Sequence, residues 1–124
     1  MFGLDYNLRY FVSTEPVNMN KGINGLFTVI QSRMHRSPIN GDVYIFFSAN
    51  RQSVKLPRWD IDGFLLYYKR LESGTFEVPV YNKSKGSYEL SWETINFIMR
   101  GVTLRSVQFR SRYRMRQIRA FSGV

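Results

Sequence analysis

Apolar and polar residues alternate along the middle of the chain in short segments that turns separate. Four segments rich in aromatic and β-branched residues show this pattern: Val43–Ser48, Val54–Trp59, Phe64–Leu71 and Thr75–Val78. Their short connections contain Asn, Asp and Gly, and this rhythm is typical of an antiparallel meander. Because Pro57 cannot donate to a ladder, we expect it at a sheet edge or a bulge.

An apolar stripe with helical spacing precedes the meander and predicts a long helix. Its members are Met19, Ile23, Leu26, Phe27, Ile30 and Met34. Residues spaced by three and four share one helix face, so we expect a helix from about Met19 to Met34. Asn18 is a suitable N-cap. Gly22 and Gly25 weaken helix propensity, and we expect both to face a neighbouring element that approaches closely.

Two further elements flank these segments. Leu8–Ser13 is typical of a first strand. Tyr81–Ser87 is polar and predicts a loop, after which Ser91 is a candidate N-cap for a short helix, Trp92–Arg100, that Gly101 ends.

The pattern as a whole predicts an α+β fold. We expect a mainly antiparallel sheet, a meander, with the longer helix packed on one face and a short helix in the C-terminal half. No internal repeat, linker or low-complexity segment divides the chain, so residues 1–124 are expected to form a single domain.

Positive charge is distributed unevenly along the chain. The chain holds 18 Lys and Arg against nine Asp and Glu, a net charge of +9. Six arginines and no acidic residue lie within residues 101–124, so an Arg-rich segment of about 102–124 carries most of the excess. Such a distribution favours a polyanionic partner, either nucleic acid or an anionic membrane surface. The alternative is a basic tail that only increases solubility.

Catalytic and metal-binding patterns are missing from the sequence. His35 is the single histidine, and there is no cysteine. Asp60 and Asp62 precede Gly63 between two strand-like segments, which indicates a turn rather than a metal site. No phosphate-binding loop or nucleophile elbow occurs. We therefore expect a protein that is not an enzyme and takes no cofactor or metal.

Two basic regions are candidates for nucleic-acid binding. In the tail, Arg110, Arg112, Arg114 and Arg116 alternate with Ser, Tyr and Met, so an extended conformation places four guanidinium groups on one face. Guanidinium binds phosphate through two hydrogen bonds, and nearby aromatic rings can stack on bases. The alternative is an amphipathic segment that docks its apolar side on the core. The remaining candidates are Arg105 and Arg119 in the tail, and Arg51, Lys55, Lys69 and Arg70 on the meander.

The N-terminus has no basic stretch followed by an apolar one, so no secretory signal is expected. No apolar run approaches the roughly 20 residues of a membrane helix. We expect a soluble, cytoplasmic protein without a membrane partner.

Several ordered motifs resemble one family. Asn18-Met19-Asn20-Lys21-Gly22-Ile23-Asn24-Gly25-Leu26 is similar to a motif of the TnpB accessory proteins of bacterial insertion sequences, in the family numbered sixty-six. Further matches are Gly41-Asp42-Val43-Tyr44-Ile45-Phe46, Trp59-Asp60, Gly63-Phe64, Tyr68-Lys69-Arg70-Leu71-Glu72 with Gly74 and Phe76, and the opening Met1-Phe2-Gly3-Leu4. This chain departs from the family at Ala49–Gln52, which keeps one arginine where the family has several, at Pro57, and at Val78 before Pro79.

The resemblance implies a non-catalytic accessory protein that acts in transposition beside a separate transposase and other proteins of the same mobile element. Together with the charge pattern, it favours a protein that binds DNA through a basic surface. An adaptor that binds the transposase without touching DNA is the alternative, and a membrane-surface binder is a third possibility.

Overall fold

Five strands form one sheet in the order β4-β3-β2-β1-β5, and two helices complete the described part of the chain. The computed structural model describes residues 3–78 and 85–100. The elements are β1 (Tyr10–Ser13), α1 (Ile23–Ser32), β2 (Val43–Phe47), β3 (Ser53–Asp60), β4 (Gly63–Arg70), β5 (Ser87–Leu90) and α2 (Trp92–Met99).

The strand pairing confirms the predicted α+β fold class. β1 and β2 are parallel and are joined through α1, whereas the β2–β3, β3–β4 and β1–β5 pairs are antiparallel. β2, β3 and β4 follow one another in sequence and in space, so they form a three-stranded meander.

The central strands β1 and β2 are buried on both faces of the sheet, because every residue of each is buried. Their side chains alternate between two separate hydrophobic clusters, as the pleat of a strand requires. On one face, Phe11, Tyr44 and Phe46 pack against Leu26, Val29, Ile30 and Met34 of α1 and the turn that follows it. On the other face, Tyr10, Val12, Val43 and Ile45 pack against Ile95, Ile98 and Met99 of α2 and against Phe76.

Helix α1 crosses the sheet from its β4 side to its β5 side. Just before the helix, the Lys21 carbonyl accepts a hydrogen bond from Lys55 of β3, and Phe27 makes an edge-to-face contact with Phe64 of β4. At its far end, the backbone of Arg33 lies against the segment that precedes β5. One helix of ten residues therefore covers the width of one face.

The helix is shorter than the sequence predicted, and its N-cap was assigned wrongly. Gly22, not Asn18, occupies the N-cap, without a side-chain hydrogen bond. The Asn18 carboxamide instead accepts from the backbone N–H of Asn20, an Asx turn that competes with helix initiation. The prediction that Gly22 and Gly25 face another element was also wrong. A Cβ at Gly22 would meet no atom within 4 Å, and one at Gly25 would meet only the Lys21 side chain.

Pro57 lies in an interior strand with the same β2–β3 register on both sides of it, so it occupies neither the predicted edge position nor a bulge. The β3–β4 register is continuous, but the β2–β3 register pairs Val43 with Arg58 and Phe46 with Lys55 and lapses between them. A proline lacks the N–H that a ladder needs. The sheet therefore accommodates Pro57 by leaving a gap in one of its two ladders.

The segment Thr75–Val78 is not a fourth meander strand. Gly74 has a φ of 75°, and Phe76 turns back so that its ring packs on Phe47 at 5.6 Å. The fifth strand is instead β5, which lies directly after the predicted polar loop. Sequence reasoning missed it because Ser-Tyr-Glu-Leu is short and half polar.

Helix α2 confirms the predicted short helix and its cap. The Ser91 hydroxyl accepts from the backbone N–H of Thr94, which satisfies one of the unpaired donors of the first turn. Trp92 stacks on Tyr10 with ring centroids 5.6 Å apart, so the helix start is fixed to β1. Gly101, the predicted end of this helix, lies outside the described residues.

We expect Gly86→Ala to destabilise the fold by about 2–4 kcal/mol, through left-handed strain and overpacking. Gly86 has a φ of 72°, and a Cβ there would collide with the Arg33 carbonyl oxygen. Gly74→Ala is the matched control, since its φ of 75° is similar but its surroundings are open. Urea denaturation should show the smaller loss for the control, and equal losses would contradict the contact with α1.

Candidate nucleic-acid interface

Arg51 lies in the turn before β3 and Arg70 is the last residue of β4, and both lie at the same end of the sheet. Ser53 pairs with Arg70, and the N–H of Leu71 donates to the Gln52 carbonyl over 2.8 Å. The Arg51 carbonyl accepts from Phe76 over 2.7 Å, so the Arg51 backbone is fixed although its side chain is exposed. These bonds bring the two arginine backbones together at one corner of the sheet.

Local hydrogen bonds shape the turn that presents Arg51. The Asn50 carboxamide oxygen accepts from the Gln52 N–H at 3.1 Å and from the Ser48 hydroxyl at 2.7 Å. Arg51 itself adopts a φ of 59°, a conformation that non-glycine residues rarely take. The turn is therefore constrained, and its arginine projects from a defined backbone.

Lys69 lies at this corner on the opposite face of β4. Its ammonium group donates to the Met99 carbonyl over 2.8 Å. The last carbonyls of a helix have no intrahelical partner, and a cation there also interacts favourably with the helix dipole. Lys69 therefore anchors the end of α2 to the edge strand, and its side chain is already hydrogen-bonded.

The Arg-rich segment starts from the same corner. Arg100 is exposed and follows Met99, whose carbonyl Lys69 holds. The tail candidates Arg105, Arg110, Arg112, Arg114, Arg116 and Arg119 lie outside the described residues. What the structure defines is their point of attachment, beside Lys69 and close to the end of β4 where Arg70 lies. The exposed Glu72 follows shortly after β4 and reduces the positive charge of the folded part here.

Lys55 is placed differently from what a phosphate contact requires. It is 9% exposed, and its ammonium group donates to the carbonyls of Met19 and Lys21 at 2.6 and 2.9 Å. The ring of Tyr68 lies 5.3 Å from the same group. Lys55 thus links β3 to the segment that leads into α1, and we remove it from the candidate interface.

Two other arginines of the folded part, Arg9 and Arg36, are paired with nearby carboxylates. The Glu89 carboxylate accepts hydrogen bonds from Arg9, which lower the pKa of Glu89 and raise that of the guanidinium. Arg36 pairs with Asp42 at 3.0 Å and lies over the Phe11 ring at 3.5 Å. The exposed arginines of the corner are therefore better candidates than Arg9 and Arg36 for binding an outside anion.

The turn between β3 and β4 shows the chemistry predicted for Asp60 and Asp62. Asp60 ends β3 and lies 3.8 Å from the Arg58 guanidinium, which also donates to the Gly41 carbonyl. Within residues 3–78 and 85–100, no cluster of His, Asp and Glu could hold a metal ion.

Comparison with known proteins places this architecture in a family. The family model described as IS66 Orf2 like protein matches residues 8–109. The chain belongs to the IS66 Orf2-like family. Membership in this family confirms the resemblance found in the sequence and indicates an accessory role in insertion-sequence transposition.

Two relatives of this IS66 Orf2-like protein occur in Sinorhizobium fredii (strain NBRC 101917 / NGR234). The protein y4jC is 31% identical over 102 residues, which cover 82% of this chain and 86% of the relative. The protein y4hO is 24% identical over 102 residues, with 82% and 87% covered. No solved structure matches this chain. In the part that the structure describes, neither helix has the length and apolar character needed to cross a membrane.

Sequence reasoning missed that two of the basic candidates are structural. The alternation of β3 could have indicated the role of Lys55. Lys55 shares a strand face with Ser53 and Pro57, and because α1 packs on that face, a lysine there is expected to be buried beneath the helix. No comparable signal exists for Lys69, since its partner is a carbonyl 30 residues away in the chain.

We expect Lys55→Met to lower the free energy of unfolding by about 1.5–3 kcal/mol, because two carbonyls lose a charged donor. The methionine keeps most of the apolar stem, which limits the loss of packing. Arg51→Met is the matched control, since that side chain is exposed and should change stability little. The measurement is urea denaturation followed by circular dichroism. Equal stability of the Lys55 variant and wild type would show that the ammonium group does not hold α1.

Proposed function

We propose that this protein is a non-catalytic, DNA-associated accessory factor of insertion-sequence transposition. In this proposal it binds the phosphate backbone through its Arg-rich tail and through the corner from which the tail starts. Its partners are DNA and the transposase and other proteins of the same mobile element. Family membership supports the transposition context, and the charge distribution supports DNA as the polyanion.

One observation carries the DNA assignment. Six arginines without an acidic residue follow a helix end that Lys69 holds at a sheet corner, where Arg51 and Arg70 are exposed. A cationic segment attached beside exposed arginines offers a phosphate backbone several positive charges in a row. Arginine suits this contact because its planar donor fork matches phosphate oxygens.

The proposed contact is electrostatic and therefore largely independent of DNA sequence. Phosphate contacts position a protein but carry no base information directly. Each neutralised phosphate contributes a slope of about 0.7–0.9 to the dependence of log affinity on log salt. The salt slope therefore counts the contacts, and it separates the tail from the corner.

Replacing Arg110, Arg112, Arg114 and Arg116 with Ser should lower this slope by about 3, because up to four phosphate contacts are removed. The measurement is fluorescence anisotropy of labelled DNA at several salt concentrations. Changing the same four residues to Lys keeps the charge and should retain most of the slope. Arg33→Ser with Lys85→Ser removes exposed charges next to β5 and is a control outside the corner.

Arg51→Ser should lower the slope by at most about 0.9, one phosphate contact. If the four-serine tail variant folds and its slope is unchanged, the tail is not the DNA contact. The adaptor that binds the transposase alone then becomes the better explanation of the basic surface.

We also expect no nuclease activity from the purified protein. Asp60 ends β3 and faces the Arg58 guanidinium, and Asp62 lies in the turn that follows. Incubation of supercoiled DNA with magnesium or manganese should leave it intact at all protein concentrations. Cleavage that disappears in the variant with Asp60→Asn and Asp62→Asn would contradict the accessory role.

A further inference from the structure

Strand β4 is a long edge strand that lacks the usual protection against pairing. Within the described residues, it has a neighbouring strand on one side only. It is eight residues long, contains no proline, and keeps a continuous register with β3, so no bulge turns it away. Edge strands normally carry a proline, a bulge or charges along their length, because their free N–H and C=O groups can otherwise pair with another chain.

The side chains of β4 add apolar surface to this free backbone edge. Leu66 and Tyr68 are 39% and 51% exposed on the α1 face, and Leu65 is 43% exposed on the α2 face. A shallow apolar pocket adjoins Leu65 and Tyr67, with Leu4 and Leu56 among its lining residues. The charges of β4 lie at its C-terminal end, where Lys69 already donates to Met99.

We propose that β4 pairs antiparallel with β4 of a second copy of this chain, so that two sheets join into one. The two-fold axis of such a pair is perpendicular to the sheet, and it keeps equivalent faces on the same side. Opposed residues must then point to the same face of the sheet, so both have even numbers or both have odd numbers. This requirement restricts the register. Two registers retain almost the whole eight-residue strand, one centred on Leu66 and one centred on Tyr67.

Charge complementarity selects the register centred on Leu66. In that register Asp62, in the turn before β4, lies opposite Arg70 of the second copy, and the symmetry creates this pair twice. Centring on Tyr67 instead places Asp62 opposite Glu72, which is repulsive. Opposite charges across neighbouring strands stabilise a pair, and like charges destabilise it.

The same register also pairs the apolar side chains of β4, which are exposed or half-buried. Phe64 lies opposite Tyr68 and Leu65 lies opposite Tyr67, each twice, with Leu66 opposite itself at the centre. Aromatic and aliphatic cross-strand pairs of this kind stabilise antiparallel sheets. Arg70 is then assigned to Asp62 of the second copy, and the phosphate contacts of the corner are left to Arg51, Arg100 and the tail.

The Arg-rich tail is a poorer occupant of this edge than a second copy. It carries six positive charges and no acidic residue, so it offers no partner for the exposed Arg70. A second copy supplies a carboxylate at the required position. In the dimer, the two tails leave at opposite ends of the joined β4 strands. This inference does not depend on DNA binding.

Sedimentation equilibrium without DNA tests the interface. The full-length protein should approach twice its chain mass of 14.7 kDa at about 100 μM. Leu66→Lys places two like charges opposite each other at the axis and should shift the protein to monomer by at least tenfold in dissociation constant. Ile39→Lys is the matched control, since Ile39 is 54% exposed in the connection between α1 and β2 and is not part of β4. A monomeric wild type at this concentration would overturn the proposal.

A charge exchange tests the register. Asp62→Arg and Arg70→Asp should each weaken the homodimer, because each places like charges opposite one another. Mixing these two variants should restore a heterodimer, since each pair then joins opposite charges: native Arg70 with native Asp62 in one pair, and the two substituted positions, with exchanged charges, in the other. Native mass spectrometry distinguishes the species by mass. Dimerisation that is insensitive to Leu66→Lys and to the exchange would refute β4 pairing, and the exchange decides the question if the Leu66 variant fails to fold.

Discussion

The structure depends on the burial of β1 and β2 on both faces of the sheet. Two central strands without an exposed residue need an apolar layer on each side. A chain of this length supplies one face with α1 and the other with α2 and the Phe76 segment. The other strands extend the sheet outward from this centre, and exposure rises toward the β4 edge. The roles of Lys55 and Lys69 follow from the layer that each one contacts.

Two lysines connect these layers to the sheet, each through hydrogen bonds from its ammonium group to backbone carbonyls. Lys55 reaches from β3 to carbonyls before α1 on one face, and Lys69 reaches from β4 to the last turn of α2 on the other. Each ammonium group satisfies carbonyls for which the described backbone provides no helical partner. Both were candidates for DNA contact from their charge alone. Composition cannot distinguish a lysine that is hydrogen-bonded to backbone carbonyls near a helix from one that is free to bind an anion. The difference lies in contacts between residues that are distant in sequence.

Local signals predicted the elements well, and long-range contacts account for the errors. Ser91 and the apolar spacing after it defined α2, and the stripe containing Leu26 and Ile30 defined the buried face of α1. The alternation in Thr75–Val78 suggested a strand, but Phe47 on β2 captures the Phe76 ring. β5 exists because β1 offers an edge to pair with. The candidate interface was predictable as a basic tail, whereas its attachment at the Lys69 corner required the structure.

Pro57 interrupts the pairing between β2 and β3. The hairpin of β3 and β4 is fully paired, but its junction with β2 lacks ladder pairing at the proline. Native proteins open in cooperative units whose boundaries follow their weakest junctions. The hairpin is therefore expected to separate from β2 before it separates internally, and amide exchange at Tyr44, whose N–H faces β3, should be faster than its complete burial suggests. We therefore expect the sheet to unfold as two units, and Lys55 connects the outer unit to the segment before α1.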